Sequence, residues 1–275
     1  MTEADRVPPG IDPHVPSVAR MYDYYLGGRE NFAADRAAAE QMIELGRRMG
    51  NDAREIALAN RAFLGRAVRM IAESGVRQFL DIGAGLPTQD NVHQVAARHV
   101  AGSRVVYVDH DPAVLVHARA LVAGLPDVAV VEGDLRNPGA ILDDPAVTGH
   151  LDLSQPYAVL MLAVLHFVPD DAEAAGIAAL VRERLRPGCH LVLSHLYAGN
   201  ATEDAARAGR QVYAGTGAGG LATRGHDQIA AYFDGLEPLG PGVVPVADWA
   251  PEAAPGGAYD LVRPGILAGV GRAAR

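Results

Sequence analysis

The sequence predicts a Rossmann-like α/β fold, with a seven-stranded, mostly parallel sheet behind an N-terminal helical cap. Three observations predict it. From residue 78 onward, short β-branched runs alternate with longer amphipathic stretches, the order that covers a parallel sheet with helices. The run over 157–165 is almost continuously apolar, as expected of a strand buried on both faces. Acids stand at or just beyond the ends of three successive strands, at Asp81, Asp109 and Asp134, on the edge where open α/β sheets bind ligands.

Taken in chain order, residues 17–26, 32–49 and 52–72 carry helical periodicity, with Ile56, Phe63, Ala67 and Met70 along one face of the third. Ser17 is placed to N-cap the first helix, and Gly27-Gly28 and Gly50 supply stops. These helices form the cap, residues 1–75; residues 76–275 form the ligand-binding unit, and the two make one compact body. The sheet unit reads as strand 78–82, helix 89–99, strand 104–109, helix 112–123, strand 128–132, strand 157–165, helix 171–185 and strand 189–196. Helices over 202–214 and 224–233 follow, and strands over 236–246 and 266–270 complete the sheet. Between those strands, residues 249–264 are rich in Pro and Gly and read as an irregular excursion over the surface.

Composition removes several chemistries. All 24 basic residues are arginine, so no lysine is present to form a Schiff base, anchor pyridoxal phosphate or complete a phosphate loop. A net charge of -9 argues against broad nucleic-acid binding, which depends on positive side chains displacing counterions. No apolar run approaches the roughly 18 to 20 residues of a membrane span. Residues 1–16 lack the basic start and apolar stretch of a signal peptide, which predicts a cytoplasmic protein. The single cysteine, Cys189, sits in an apolar run and reads as a small buried hydrophobe. The histidines show no metal-ligand spacing, so no metal is expected, and no Gly-x-Ser-x-Gly elbow points to a hydrolase.

The ligand signal starts at Asp81-Ile82-Gly83-Ala84-Gly85, an acid at the end of a buried strand followed by two glycines. Gly83 and Gly85 let the backbone turn tightly around Ala84 and approach a ligand. Asp81 is placed to bind an ammonium, such as that of the methionine part of S-adenosylmethionine (SAM). A dinucleotide fingerprint wants a third glycine or alanine at position 88, where this chain has Thr88 after Leu86-Pro87. Asp109 is suited to the hydroxyls of a ribose, and Asp134, with Leu135 beside it, to the exocyclic amine of adenine. His110 reads as a loop residue near the adenosine. Asp111 before Pro112 reads as a helix N-cap.

Residues 81–85, 108–112 and Gly133-Asp134, in their strand-then-helix order, resemble class I SAM-dependent methyltransferases. More narrowly, the run 17–28 with Asn31-Phe32, the segment 80–88, Asn91-Val92-His93, 107–112 and the tail 268–271 look like an actinobacterial S-adenosyl methyltransferase family long catalogued as a domain of unknown function. The resemblance covers nearly the whole chain. It implies the fold, SAM as cofactor, a transferase activity and a cap that closes over the cofactor, without a substrate.

Tyr22, Tyr24 and Tyr25 either line the methyl-transfer site, where electron-rich rings suit a sulfonium, or pack the cap against the body. Two histidines end strands on the ligand edge, His166 and His195. Each is either a general base toward a hydroxyl or nitrogen acceptor or a structural histidine; His166 ranks first, because the loop after the fourth strand faces the acceptor in similar methyltransferases. The expected activity is methyl transfer to a small-molecule oxygen or nitrogen. The alternatives are a SAM-binding regulator or partner subunit without catalysis and, less favoured, an NAD-dependent oxidoreductase. Oligomeric state is not legible in the sequence.

Overall fold

The fold is described from a computed structural model, which covers residues 11–87 and 90–274. Three helices, α1 (Val18–Tyr25), α2 (Ala33–Arg48) and α3 (Ala53–Glu73), precede the first strand. There follow β1 (Gln78–Ile82), α4 (Val92–His99), β2 (Arg104–Asp109), α5 (Pro112–Leu121), β3 (Val128–Glu132), α6 (Pro138–Asp143), α7 (Pro145–His150) and β4 (Ala158–Leu162). The chain continues through α8 (Asp171–Arg184), β5 (His190–Tyr197), α9 (Glu203–Ala214), α10 (His226–Ala230), β6 (Leu236–Pro245) and β7 (Gly265–Ala273).

The seven strands form one sheet in the order β3-β2-β1-β4-β5-β7-β6. The first five run parallel, and β7 is antiparallel to both β5 and β6. This is the mostly parallel Rossmann-like sheet expected from the sequence. The strand order reverses between β1 and β4, so the crevice beyond their carboxyl ends is the topological switch point. Asp81 is the next-to-last residue of β1, beside that crevice, and Asp109 ends β2 one strand away.

Strand alternation builds two cores. Phe79, Val105, Leu160 and Val192 pack with α3 residues Phe63, Ala67 and Ile71 on one face. Leu80, Val106, Val159 and Leu193 face the other way and pack with Ile141, Val147, Ile177 and Val181 of α6, α7 and α8. A third cluster joins α1, α2 and α9 through Met21, Tyr25, Ile43 and Tyr213.

Several boundaries depart from the sequence expectation for local reasons. The helix expected over 89–99 begins at Val92, because Asp90 adopts a left-handed φ of 56° and Asn91 takes the N-cap position, its N–H bonding the Gln94 side chain at 2.9 Å. Thr88 and Gln89, which bear on the glycine fingerprint and on that start, lie outside the described residues. The strand expected over 157–165 stops at Leu162, since Ala163 turns to φ 51° and residues Leu165–Phe167 wind into a 3-10 turn. The helix expected over 224–233 is split. Arg224 pairs with Tyr197 as a single bridge, and α10 passes into a 3-10 turn over Ala231–Phe233. Helices α6 and α7 were not expected; each is opened by a side-chain cap, Asn137 or Asp144, with proline at the first helical position.

Two further expectations are corrected. Ser17 holds the N-cap position of α1 but makes no capping bond, because its hydroxyl instead donates to Asp111 Oδ2 at 2.7 Å. The irregular, largely surface-lying excursion after β6 is as expected, except at Trp249. Trp249 is fully buried, edge-on to Phe63 at 5.0 Å, and its carbonyl accepts from Arg66 Nε at 2.7 Å.

Candidate functional site

The turn after β1 is shaped by glycine. Gly83 has φ 74° and Gly85 φ 67°, a region that L side chains enter at a cost. A Cβ on Gly83 would also collide with the Val164 side chain, so the β1 and β4 loops approach as closely as they do only with glycine there. The Gly83 and Ala84 N–H groups share the Val108 carbonyl at 2.8 and 3.2 Å, and Gly85 N–H donates to Asp109 Oδ2 at 2.9 Å. Three loops are thereby fixed around one cavity of about 570 Å³, within the usual range of small-molecule sites.

Asp81, Asp109 and Asp134 all line this cavity, as do Gly83, Ala84, Gly85, His110 and Leu135. Asp81 is 6% exposed, and no donor among the described residues hydrogen-bonds its carboxylate. Burial pushes its carboxyl up to about 7, opposed by the Arg61 guanidinium and reinforced by the charge of Asp109. Asp109 is also buried and pushed upward by desolvation, against the backbone N–H groups that it accepts. Its Oδ1 takes the N–H groups of His110 and Asp111 at 2.8 and 3.0 Å, and its Oδ2 takes Gly85. With roughly four acceptor positions on a carboxylate, about one is left for a ligand. Asp134 is half-exposed and receives the Arg136 N–H at 2.9 Å. Asp111 caps α5 by accepting from Ala113 N–H at 2.8 Å, as the sequence suggests.

Helix α1 crosses this cavity. At its start, Ser17 bonds Asp111, and Arg20 donates to Asp35 Oδ2 at 2.7 Å in a buried ion pair. Asp35 also accepts the N–H groups of Ser17 and Phe32, which holds α1 against the start of α2. The turn between them is fastened by buried Asp23, which accepts from Glu30 N–H and Asn31 Nδ2 at 2.9 and 2.8 Å. A Cβ on Gly28 would strike the Asp23 carboxylate, so the glycine is required there by contact alone.

The three tyrosines have separate fates. Tyr22 and Tyr25 line the cavity; Tyr24 faces outward, bonding Glu40 Oε1 at 2.5 Å beneath the Arg54 guanidinium. Tyr22 belongs to a polar relay that sequence reasoning missed. Asn60 Nδ2 donates to the Tyr22 hydroxyl at 2.9 Å, Ser194 Oγ donates to Asn60 Oδ1 at 2.7 Å, and Ala163 N–H donates to Ser194 Oγ at 2.9 Å. The relay ties α1 through α3 to β5 and the left-handed turn after β4. Arg136 likewise joins separate loops, donating to the carbonyls of Phe167 and Ala218 at 3.2 and 3.0 Å. No local pattern marks these residues, because their partners lie 30 to 130 or so positions away in sequence.

The histidines also divide. His166 lines the cavity, its Nδ1 accepting the Leu196 N–H at 3.4 Å, and burial with the nearby His195 and Arg224 holds its imidazole well below the usual histidine range. His195 is fully buried outside the cavity lining. Arg224 donates to its Nε2 at 2.8 Å, so Nδ1 carries the proton and donates to the Leu196 carbonyl at 2.7 Å. Burial lowers its pKa to about 3. Both ring nitrogens are spent. Among the described residues, no group of three or more His, Cys, Asp or Glu side chains is placed to hold a metal ion. No helix there is long and apolar enough to cross a membrane.

A mostly parallel sheet with a glycine-lined, acid-rimmed crevice at its switch point is the architecture in which open α/β proteins bind their ligands. The chain belongs to the S-adenosyl methyltransferase family, whose sequence model matches residues 4–274. It is similar to a crystal structure of a putative methyltransferase from Thermobifida fusca YX, with a TM-score of 0.85 and 36% identity over 98% of this chain and 99% of that one. It is also similar to a DUF574 family protein from Streptomyces avermitilis MA-4680, with a TM-score of 0.83 and 37% identity over 95% of this chain and 99% of that one. No curated protein matches the chain significantly. The protein is accordingly a SAM-dependent methyltransferase of the class I fold, as its sequence motifs suggested.

Proposed function

We propose that this methyltransferase modifies an oxygen or nitrogen of a small-molecule acceptor, and that the acid-rimmed end of the cavity holds the cofactor. The observation that carries the reading is Asp81, a buried carboxylate facing the cavity with no described hydrogen-bond donor. A buried acid without a partner is costly, and a ligand ammonium supplies the missing charge and donors. The same acid would repel the pyrophosphate of a dinucleotide, so an NAD-dependent reading finds no support here. Asp109 accepts a ribose hydroxyl at its open position, Asp134 and Leu135 border the adenine, and Gly83, Ala84, Gly85 and His110 line the nucleoside path.

SAM supplies a methyl group already activated on a sulfonium, so the protein's work is alignment and exclusion of water. The cap contributes to both. Helix α1 lies over the cavity, bonded to the β2 loop through Ser17 and to the sheet through Tyr22 and Asn60. His166 borders the acceptor. With its Nδ1 occupied by the Leu196 N–H, the remaining ring position carries the proton, so His166 orients the acceptor as a donor rather than removing its proton. His195 takes no part in this reading because both of its nitrogens are engaged.

Titration calorimetry with SAM and with NAD tests the cofactor assignment, and transfer of label from methyl-labelled SAM to a panel of phenols, alcohols and amines tests the reaction. Saturable binding of SAM alone, followed by labelled product, is expected. Binding of NAD in place of SAM refutes the site assignment, and SAM binding without turnover of any acceptor supports a regulatory role instead.

A further inference from the structure

We infer that the methyl acceptor is an uncharged, predominantly apolar small molecule seated in the part of the cavity between α2 and α9. The inference rests on the cofactor assignment above, which fills the opposite end.

The cavity is divided chemically along its length. Its charged side chains gather toward the loops after β1, β2 and β3, and the cations there are engaged: Arg20 with Asp35, Arg61 with Asn91, and Arg136 with two backbone carbonyls. Beyond Tyr25 the wall changes. Met42 and Leu45 of α2, with Met49 just past its end, and Ala205, Ala206 and Gly209 of α9 line the remaining space, with no ionisable acid or base among them. A carboxylate, phosphate or ammonium seated there would lose its water, and the cation beside Phe167, Arg136, is already held by two backbone carbonyls. An apolar body would lose only unfavourable hydration.

The polar groups at this end suit one neutral function on such a molecule. The hydroxyls of Tyr25 and Tyr213 lie 3.4 Å apart in the wall, both buried. Burial raises both phenols, so each keeps its proton. Two protons serve one shared bond, which leaves one O–H donor for an acceptor oxygen or nitrogen. The rings of Tyr213 and Phe167, 5.5 Å apart, provide a flat apolar surface beside them. Gly209 lies in the wall of the chamber: a Cβ there would meet Leu45 and Met42 at 3.7 Å and Leu221 at 3.9 Å, ordinary contact distances, so alanine fits and a larger side chain crowds these apolar walls.

The test uses 1-naphthol and 1-naphthoate, which share a ring system and differ in charge at pH 7.5. Each is titrated into protein saturated with S-adenosylhomocysteine, after a separate titration of that product into the free protein. Naphthol is expected to bind about tenfold or more tighter than naphthoate, the scale set by an uncompensated charge. Gly209→Leu is expected to weaken naphthol by about tenfold while S-adenosylhomocysteine affinity stays within about twofold, and Gly209→Ala is expected to retain both. Equal binding of the two probes, tighter binding of naphthoate, or no binding of naphthol to the loaded wild type overturns the inference. Failure of S-adenosylhomocysteine to bind the free protein overturns the cofactor assignment on which it stands.

Discussion

Asparagine at position 81 keeps the shape of the side chain and removes its charge, which separates what Asp81 does for the fold from what it does for the ligand. The carboxyl is pushed up to about 7 by burial, whereas in the unfolded chain it titrates near 4. A raised folded-state pKa gives a contribution that is fully present below the unfolded value and is lost as pH rises through the folded one. Three pKa units at 1.36 kcal/mol each set the loss at about 4 kcal/mol by pH 8. Against this stands the cost of an amide with unfilled hydrogen bonds, about 1 to 3 kcal/mol. Asp81→Asn is therefore expected to stabilise the ligand-free protein by about 2 kcal/mol at pH 8, a rise of roughly 4 °C or more in melting temperature, and to leave it unchanged or slightly less stable at pH 4. The same variant is expected to lose about 1.5 to 3 kcal/mol of SAM binding, a factor of roughly 10 to 150. Thermal unfolding at the two pH values and calorimetry at pH 8 measure both. A variant equally destabilised at both pH values, or one that binds SAM as tightly as wild type, refutes the reasoning.

Wild-type affinity for SAM should fall by up to about tenfold per pH unit below pH 7, because a protonated Asp81 offers no charge to an ammonium; a flat profile from pH 8 to 5.5 removes the ion pair from the account. Gly28→Ala is expected to cost about 2 to 4 kcal/mol by driving a methyl group into the buried Asp23 carboxylate, read as a lower denaturation midpoint, whereas a change within about 0.5 kcal/mol shows that the turn adjusts freely. His195→Ala leaves the buried Arg224 guanidinium without one of its partners and is expected to lower stability by about 2 to 4 kcal/mol. His166→Ala, on the cavity wall, should lower turnover more than stability; the reverse ranking of the two histidines, by unfolding and by initial rate, contradicts their separate placement.

The strands were legible because their signal is local. Strands β1, β2 and β3 begin and end where β-branched runs and turn residues place them, and Asp81, Asp109 and Asp134 reach one cavity because parallel strands bring their carboxyl ends to one edge. Helices α6 and α7 are also written locally, in Asn137-Pro138 and Asp144-Pro145, two pairs of N-cap and N1 residues. Other features have no local signature. Tyr22, Tyr24 and Tyr25 look alike in sequence, yet helical geometry turns the middle one to solvent and the outer two to the cavity. Ser17 has the identity of an N-cap, but Asp111 competes for its hydroxyl from 94 residues away. The Tyr22–Asn60–Ser194 relay and the Tyr25–Tyr213 pair exist only once three layers have packed.

Of all measurements, a crystal structure of the protein with S-adenosylhomocysteine tests the central claim most directly. The ligand's ammonium is expected against the Asp81 carboxylate, a ribose hydroxyl on Asp109 Oδ2, adenine beside Asp134 and Leu135, and the sulfur facing the chamber between α2 and α9. A ligand whose amino-acid end lies away from Asp81, or one bound outside this crevice, contradicts it.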